Sequence, residues 1–129
     1  MRLEKSYRLI PREMSIEYSA FESGLDRFVR LDKEEDFIGK TALSQWQDTG
    51  LTNGFVTMEV LGIVDADARG SEAIYKDGEV VGRATSGGYG WRCGKSLALG
   101  LVRLELAAIG TELEIEILGE KYKPQLNAA

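Results

Sequence analysis

The stretch TELEIEILGEKY, residues 111–122, constrains the fold more than any other part of the chain. Leu113, Ile115 and Ile117 alternate strictly with Glu112, Glu114 and Glu116. Successive side chains of a strand point to opposite faces, so this spacing gives one apolar and one acidic face. The same residues on a helix would scatter around the axis. The reading is a half-buried antiparallel strand that turns at Gly119. Other segments agree with it. FVTMEVL (55–61) is rich in strand-forming residues, and EAIYKDGEVVGRAT places Asp77-Gly78 between two strands, a hairpin signal. SLALGLVRL (96–104) fits a buried strand. Five or six short strands at roughly ten-residue spacing, joined by glycine turns, predict a small barrel or sandwich.

The first half, to about residue 50, is helical in pattern. Phe21, Leu25, Phe28 and Val29 form one helical stripe, and Ser19 three residues before Glu22 makes a capping box for it. A second short helix is expected from about Asp36, with Ile38, Ala42 and Trp46 on one face. Pro11 ends whatever RLEKSYRLI begins. LDKEEDF reads as a solvated helix entry with its acids near a helix N-terminus.

Composition removes several kinds of chemistry. The chain has 129 residues and no histidine, so the commonest general base and transition-metal ligand is missing. With Cys93 as the one cysteine, neither a Cys-His pair, an internal disulfide nor a cysteine-rich zinc site can form. No metal ligands and no catalytic residues are assigned. The net charge of −5 argues against a general grip on nucleic acid, and no apolar run is long enough to span a membrane. A lone thiol fits a reducing compartment such as the cytoplasm.

TSGGYGWRCGKS (85–96) ends like a phosphate-binding loop but fails its spacing. A P-loop requires glycine where Tyr89 stands, and a dinucleotide fingerprint requires it where Cys93 stands. Both motifs also lead from a strand into a helix, whereas this stretch lies between strands. The expectation is a tight glycine-rich interstrand loop, with Tyr89 and Trp91 as packing or interface residues and Cys93 structural. Arg83 and Lys95 face either an anionic partner or a solvated rim. Glu4, in RLEKSYR, can accept two hydrogen bonds from the amidine-like edge of a ring ligand or form an ion pair with Arg2 or Arg8. The residues alone favour the ion pair.

Four stretches together go further. MRLEKSYRLI, AFESGLDRFVRLDKEEDFIGKTAL, KDGEVVGRATSGGYGWRCGKSLALGLV and GTELEIEILGEKY resemble, in this order, the C-terminal part of the glycine-cleavage T-protein (aminomethyltransferase) family. The similarity is closest to the folate-binding C-terminal region of dimethylglycine and sarcosine dehydrogenases. It implies a small antiparallel six-stranded Greek-key-like barrel over 51–129, after short N-terminal helices in 1–50 that are a remnant of the preceding folate-binding domain. It implies tetrahydrofolate as cofactor, with Glu4 on the pterin ring. By the same resemblance, Thr85, Ser86, Gly87, Gly88 and Tyr89 form a structural loop near an inter-domain surface. Family members transfer a one-carbon unit inside a three-domain cloverleaf, using an aspartate from a region N-terminal to the one matched. The chain alone is therefore expected to be inactive and to bind folate weakly or not at all. Its expected partners are that N-terminal domain, a separate subunit or a second copy. The compartment becomes the mitochondrial matrix if the source is eukaryotic. Two departures stand out: SAFESGL puts Ala20 where proline is usual, and WRC (91–93) falls in the less regular part of the loop. The alternative is a non-catalytic interaction module that packs on other domains or subunits.

Overall fold

The computed structural model describes residues 1–127. The strands are β1 (Asn53–Val60), β2 (Ala73–Lys76), β3 (Glu79–Gly90), β4 (Lys95–Arg103), β5 (Glu114–Ile117), β6 (Glu120–Tyr122) and β7 (Pro124–Asn127). They form one antiparallel sheet in the order β6-β5-β2-β3-β4-β1-β7. The two edge strands are consecutive in sequence and only Lys123 separates them. At about 4.8 Å per strand, a flat sheet would hold them roughly 29 Å apart, a gap that one residue at about 3.5 Å cannot bridge. The sheet must curl, and it makes a half-barrel. It has seven strands where six are expected, because the segment after Gly119 breaks at Lys123. Its first part pairs with β5 and its second with β1.

Turn chemistry sets the hairpins. Asp77 (φ 51°) and Gly78 (φ 83°) are both left-handed, as a two-residue turn between right-twisted strands requires. Leu118 (φ 52°) and Gly119 (φ 84°) repeat the arrangement between β5 and β6. Leu113, Ile115 and Ile117 are buried, as their alternation predicts. They join Met58, Ile74, Ala98 and Val102 in the core inside the curl. Leu97 to Val102 on β4 are buried without a break, so this central strand is covered on both faces. The outer layer lies over Leu97, Leu99 and Leu101. Removing one such side chain from water contributes about 2 kcal/mol.

That outer layer is not a helical hairpin. Residues 1–25 run as a strap of turns over β1, β3 and β4, with one 3-10 turn at Leu3–Lys5. The capping box does form: the Glu22 amide donates to Ser19 Oγ (3.1 Å) and the Ser19 amide donates to Glu22 Oε2 (3.0 Å). The helix expected after it stops within a turn. Gly24 adopts φ 65°, its amide donates to the Phe21 carbonyl, and the Leu25 amide donates to the Ala20 carbonyl. These are the two bonds of a Schellman stop. Start and stop signals therefore enclose a single turn, and only a 3-10 turn at Asp26–Phe28 follows. The second helix, α1 (Lys40–Thr49), starts later than expected, after Gly39 at φ 92°, so Ile38 lies outside it. None of its residues is buried.

The glycines of β3 do not tolerate side chains equally. A Cβ on Gly87 would lie 2.3 Å from the Ala68 carbonyl oxygen, whereas one on Gly88 would meet only a Leu3 methyl at 3.1 Å. Gly87→Ala is expected to destabilise the chain by about 2 kcal/mol or more, and Gly88→Ala by under about 1 kcal/mol. Urea unfolding of both variants checks the order.

Candidate functional site: the Thr85–Gly90 strand and its strap

Thr85 to Gly90 are not a loop. They are the second half of β3 and pair with β4 through Gly90–Lys95, and the chain turns only at Trp91–Gly94. Glycine suits this strand because neighbours press on both faces, the Ala68 backbone on one and strap side chains on the other. Gly87 lies against the 66–68 segment, while Gly88 and Gly90 lie against Leu3 and Glu4 of the strap. Gly94 (φ 66°) belongs to an antiparallel hairpin turn, which excludes a phosphate cradle.

A β-bulge gives the strand its chemistry. Register slips between Ala84, opposite Gly100, and Ser86, opposite Leu99, so Thr85 is an extra residue. In a regular strand Thr85 and Ser86 would point to opposite faces. The bulge turns both hydroxyls to the same carboxylate. Thr85 Oγ1 and Ser86 Oγ each donate to Glu13 Oε1 at 2.6 Å. Glu13 Oε2 accepts the Leu9 amide (2.8 Å) and lies 3.4 Å from Arg2 Nη1. Glu13 is fully buried. Burial pushes its pKa up, but the hydrogen bonds from Ser86, Thr85 and the Leu9 amide outweigh it and hold the carboxyl below its usual range.

Arginines complete the seam. Arg8 donates to the carbonyls of Ser23, Ser6 and Gly24 and stacks 3.9 Å from the Phe55 ring centre. Arg12 donates to the carbonyls of Arg69 and Thr85. Ser6 Oγ and Thr57 Oγ1 share a 2.7 Å hydrogen bond. Sequence reasoning missed Glu13 and Arg12, and considered Arg8 only as an ion-pair partner of Glu4. No local pattern marks them, since the hydroxyl partners of Glu13 lie 72 and 73 residues away.

Glu4 stands where the strap meets the β3–β4 turn. Its Oε1 accepts the Arg92 amide at 2.8 Å, and its side chain is 11% exposed. The Arg92 hydrogen bond lowers its pKa, so the carboxylate is an acceptor at neutral pH. It pairs with neither Arg2 nor Arg8, which serve Glu13 and the strap carbonyls; its ion pair is with the Met1 ammonium, 3.3 Å from Oε2. Cys93 is exposed, with Sγ 3.3 Å from the Gly90 carbonyl oxygen. Tyr89 and Trp91 are exposed and meet edge to face with ring centres 5.0 Å apart. They border an open groove of about 750 Å³ with Glu59, Ile63, Asp67 and Lys95. A second groove, about 730 Å³, follows the half-barrel seam between Ile109, Leu113, Pro124 and Leu126. The described residues contain no cluster of three or more His, Cys, Asp or Glu able to hold a metal.

The buried carboxylate makes a specific pH prediction. A depressed native pKa contributes stability that is present above the unfolded value near 4.5 and lost as pH falls through the lower native value. Glu13→Gln is expected to cost about 3 kcal/mol at neutral pH and to flatten the acid limb of stability. Thermal unfolding of both proteins between neutral and acid pH checks this.

Comparison with known proteins places this geometry. Residues 54–127 match the family described as the glycine cleavage T-protein C-terminal barrel domain. Human mitochondrial dimethylglycine dehydrogenase is 42% identical over 122 residues, which is 95% of this chain and 14% of that protein. An aminomethyltransferase of Synechocystis is 37% identical over 122 residues, again 95% of this chain and 32% of that protein. The chain thus spans about a third or less of these relatives. The crystal structure of the glycine cleavage system aminomethyltransferase T from Bartonella henselae superposes with a TM-score of 0.87 at 22% identity. It covers 98% of this chain and 36% of that one, and at this identity it supports the fold alone. With its curled antiparallel sheet and the family match across most of it, this chain belongs to the glycine cleavage T-protein C-terminal barrel domain family.

Proposed function

We propose that the chain is the barrel portion of a tetrahydrofolate-dependent aminomethyltransferase, of the T-protein or dimethylglycine dehydrogenase kind, and does not transfer a one-carbon unit by itself. The observation that carries this reading is the family match over residues 54–127 together with relatives aligned over 95% of the chain. Glu4 enters it through the resemblance of RLEKSYR alone. The Glu4 carboxylate is ionised, fixed through Oε1 to the Arg92 amide and slightly open to solvent. That suits it to accept hydrogen bonds from the amino-pyrimidinone edge of a pterin. One carboxylate cannot enclose such a ring, so the remaining contacts and the aminomethyl chemistry fall to the region that carries the catalytic aspartate in the family. In this reading residues 1–50 are the end of that folate-binding domain and residues 51–129 the barrel. The Thr85–Tyr89 strand lines the surface between them. We place the protein in the cytoplasm, or in the mitochondrial matrix if the source is eukaryotic, as the names of the dehydrogenase relatives suggest.

Calorimetric titration of the chain with tetrahydrofolate is expected to show weak binding or none, and micromolar binding overturns the proposal. Adding the aspartate-bearing region of an aminomethyltransferase relative should restore binding, and Glu4→Gln should then weaken it about tenfold.

A second reading, an interaction module, has its own observation. Helix α1 buries nothing; Trp46 on it and Ile38 just before it are exposed, as is Phe28 on the preceding turn. Helices of this length depend on packing for stability. We assign this face to the preceding folate-binding region, or to a second copy in its absence. Light scattering is then expected to give a mass above the 14.3 kDa of one chain, falling to that value in Trp46→Lys. A monomer at every concentration removes this reading.

A further inference from the structure

We propose that Arg12, Arg69 and Arg83 form a binding site for a small oxyanion, a carboxylate or a phosphate, where the chain enters β2. Arg12, Arg69 and Arg83 line one polar pocket of about 310 Å³ together with Gly70, Ser71 and Thr85. Their convergence is notable in a chain whose net charge is −5. The strap, the segment before β2, and β3 each contribute one arginine, so the folded chain alone assembles the group.

The local backbone is shaped to bring them together. Gly70 has φ 121°, and a Cβ there would lie 2.6 Å from Arg12 Nη1 and 2.8 Å from the Thr85 carbonyl oxygen. Only glycine lets the Arg12 fork lie flat on this turn. The next residue, Ser71, is also left-handed at φ 76°. Arg12 spends Nη1 on the Arg69 and Thr85 carbonyls, which fixes the plane of its fork.

The acids nearby are already engaged. Glu72 uses its two carboxylate oxygens on the backbone amides of Arg69 and Gly70, each at 2.7 Å. Glu17 meets Arg83 Nη2 at 2.7 Å, and Tyr18 takes Arg83 Nε at 3.0 Å. Among the described residues, the Arg69 side chain has no hydrogen bond or ion pair. Among the described residues, one guanidinium is thus unpaired, and Arg12 and Arg83 each keep N–H groups that their own hydrogen bonds do not use. Planar forks of this kind recognise carboxylate and phosphate oxygens through paired hydrogen bonds.

Arginine Nε–Hε NMR of the full chain, titrated at constant ionic strength with inorganic phosphate and separately with succinate, tests the site. Arg12, Arg69 and Arg83 are expected to shift together and saturate, with half-saturation at about a millimolar. Arg30, held by Asp32 at 3.0 Å, serves as the internal reference. Saturation by phosphate alone assigns a phosphoryl group, by succinate alone a carboxylate, and by both a general oxyanion. Arg69→Ala should weaken binding about tenfold with an unchanged melting temperature, because that side chain holds nothing else. Shifts that fail to saturate with either probe, or that Arg30 shares equally, overturn the proposal. So does unaltered binding in the Arg69→Ala variant.

Discussion

The buried Glu13 carboxylate is the contact on which the outer layer depends. A barrel sheet has an inner face that packs on itself and an outer face that needs cover. Here Leu97, Leu99 and Leu101 on the outer face are buried beneath a strap with almost no regular structure of its own. A strap without a hydrogen-bonded ladder must be pinned by side chains. Glu13 does this by joining the Leu9 amide in the strap to two hydroxyls of β3. Arg12 pins it in the opposite sense, as a cation donating to the Arg69 and Thr85 carbonyls, while Arg8 ties strap carbonyls together and stacks on Phe55 of β1. Among the described residues, no buried side-chain polar atom lacks a partner, so the polar seam is closed as such networks must be to be stable.

The same seam explains the composition of the signature stretch. Thr85 and Ser86 supply hydroxyls to Glu13, and the glycines after them let the strap and the 66–68 segment approach the strand from its two sides. The ionised Glu4 sits at the end of this line, bonded to the turn that closes β3 onto β4. Family signature, structural pin and proposed ligand contact therefore lie along one strand. A change meant to probe Glu4 must leave the Glu13 cluster intact.

Much of the barrel was legible. The alternation at residues 113–117, the Asp77-Gly78 turn and the Leu97–Val102 run are each a local consequence of strand geometry, and all three stand as read. The first half was less legible, for an identifiable reason. The Phe21–Val29 stripe has helical period and a true capping box, yet Gly24 supplies a stop one turn later. Periodicity records which side chains share a face, and it cannot weigh that preference against a left-handed glycine and a Glu22 carboxylate that also holds Asn53. The Thr85–Gly90 segment was misread as a loop because glycine signals turns far more often than a strand closely covered on both faces.

The sequence by itself determined most of the strands, the Asp77-Gly78 and Gly119 turns, the antiparallel class and, through its ordered motifs, the family. These depend on neighbours within a few residues, where pattern and conformation are tightly coupled. Tertiary structure decided the curl that joins β6 to β7, the bulge that turns Thr85 beside Ser86, and the meeting of Glu13 with both. It also decided where Arg12, Arg69 and Arg83 converge. Each of these brings together residues distant in the chain. Their geometry depends on how the whole sheet twists and closes, which no local pattern encodes.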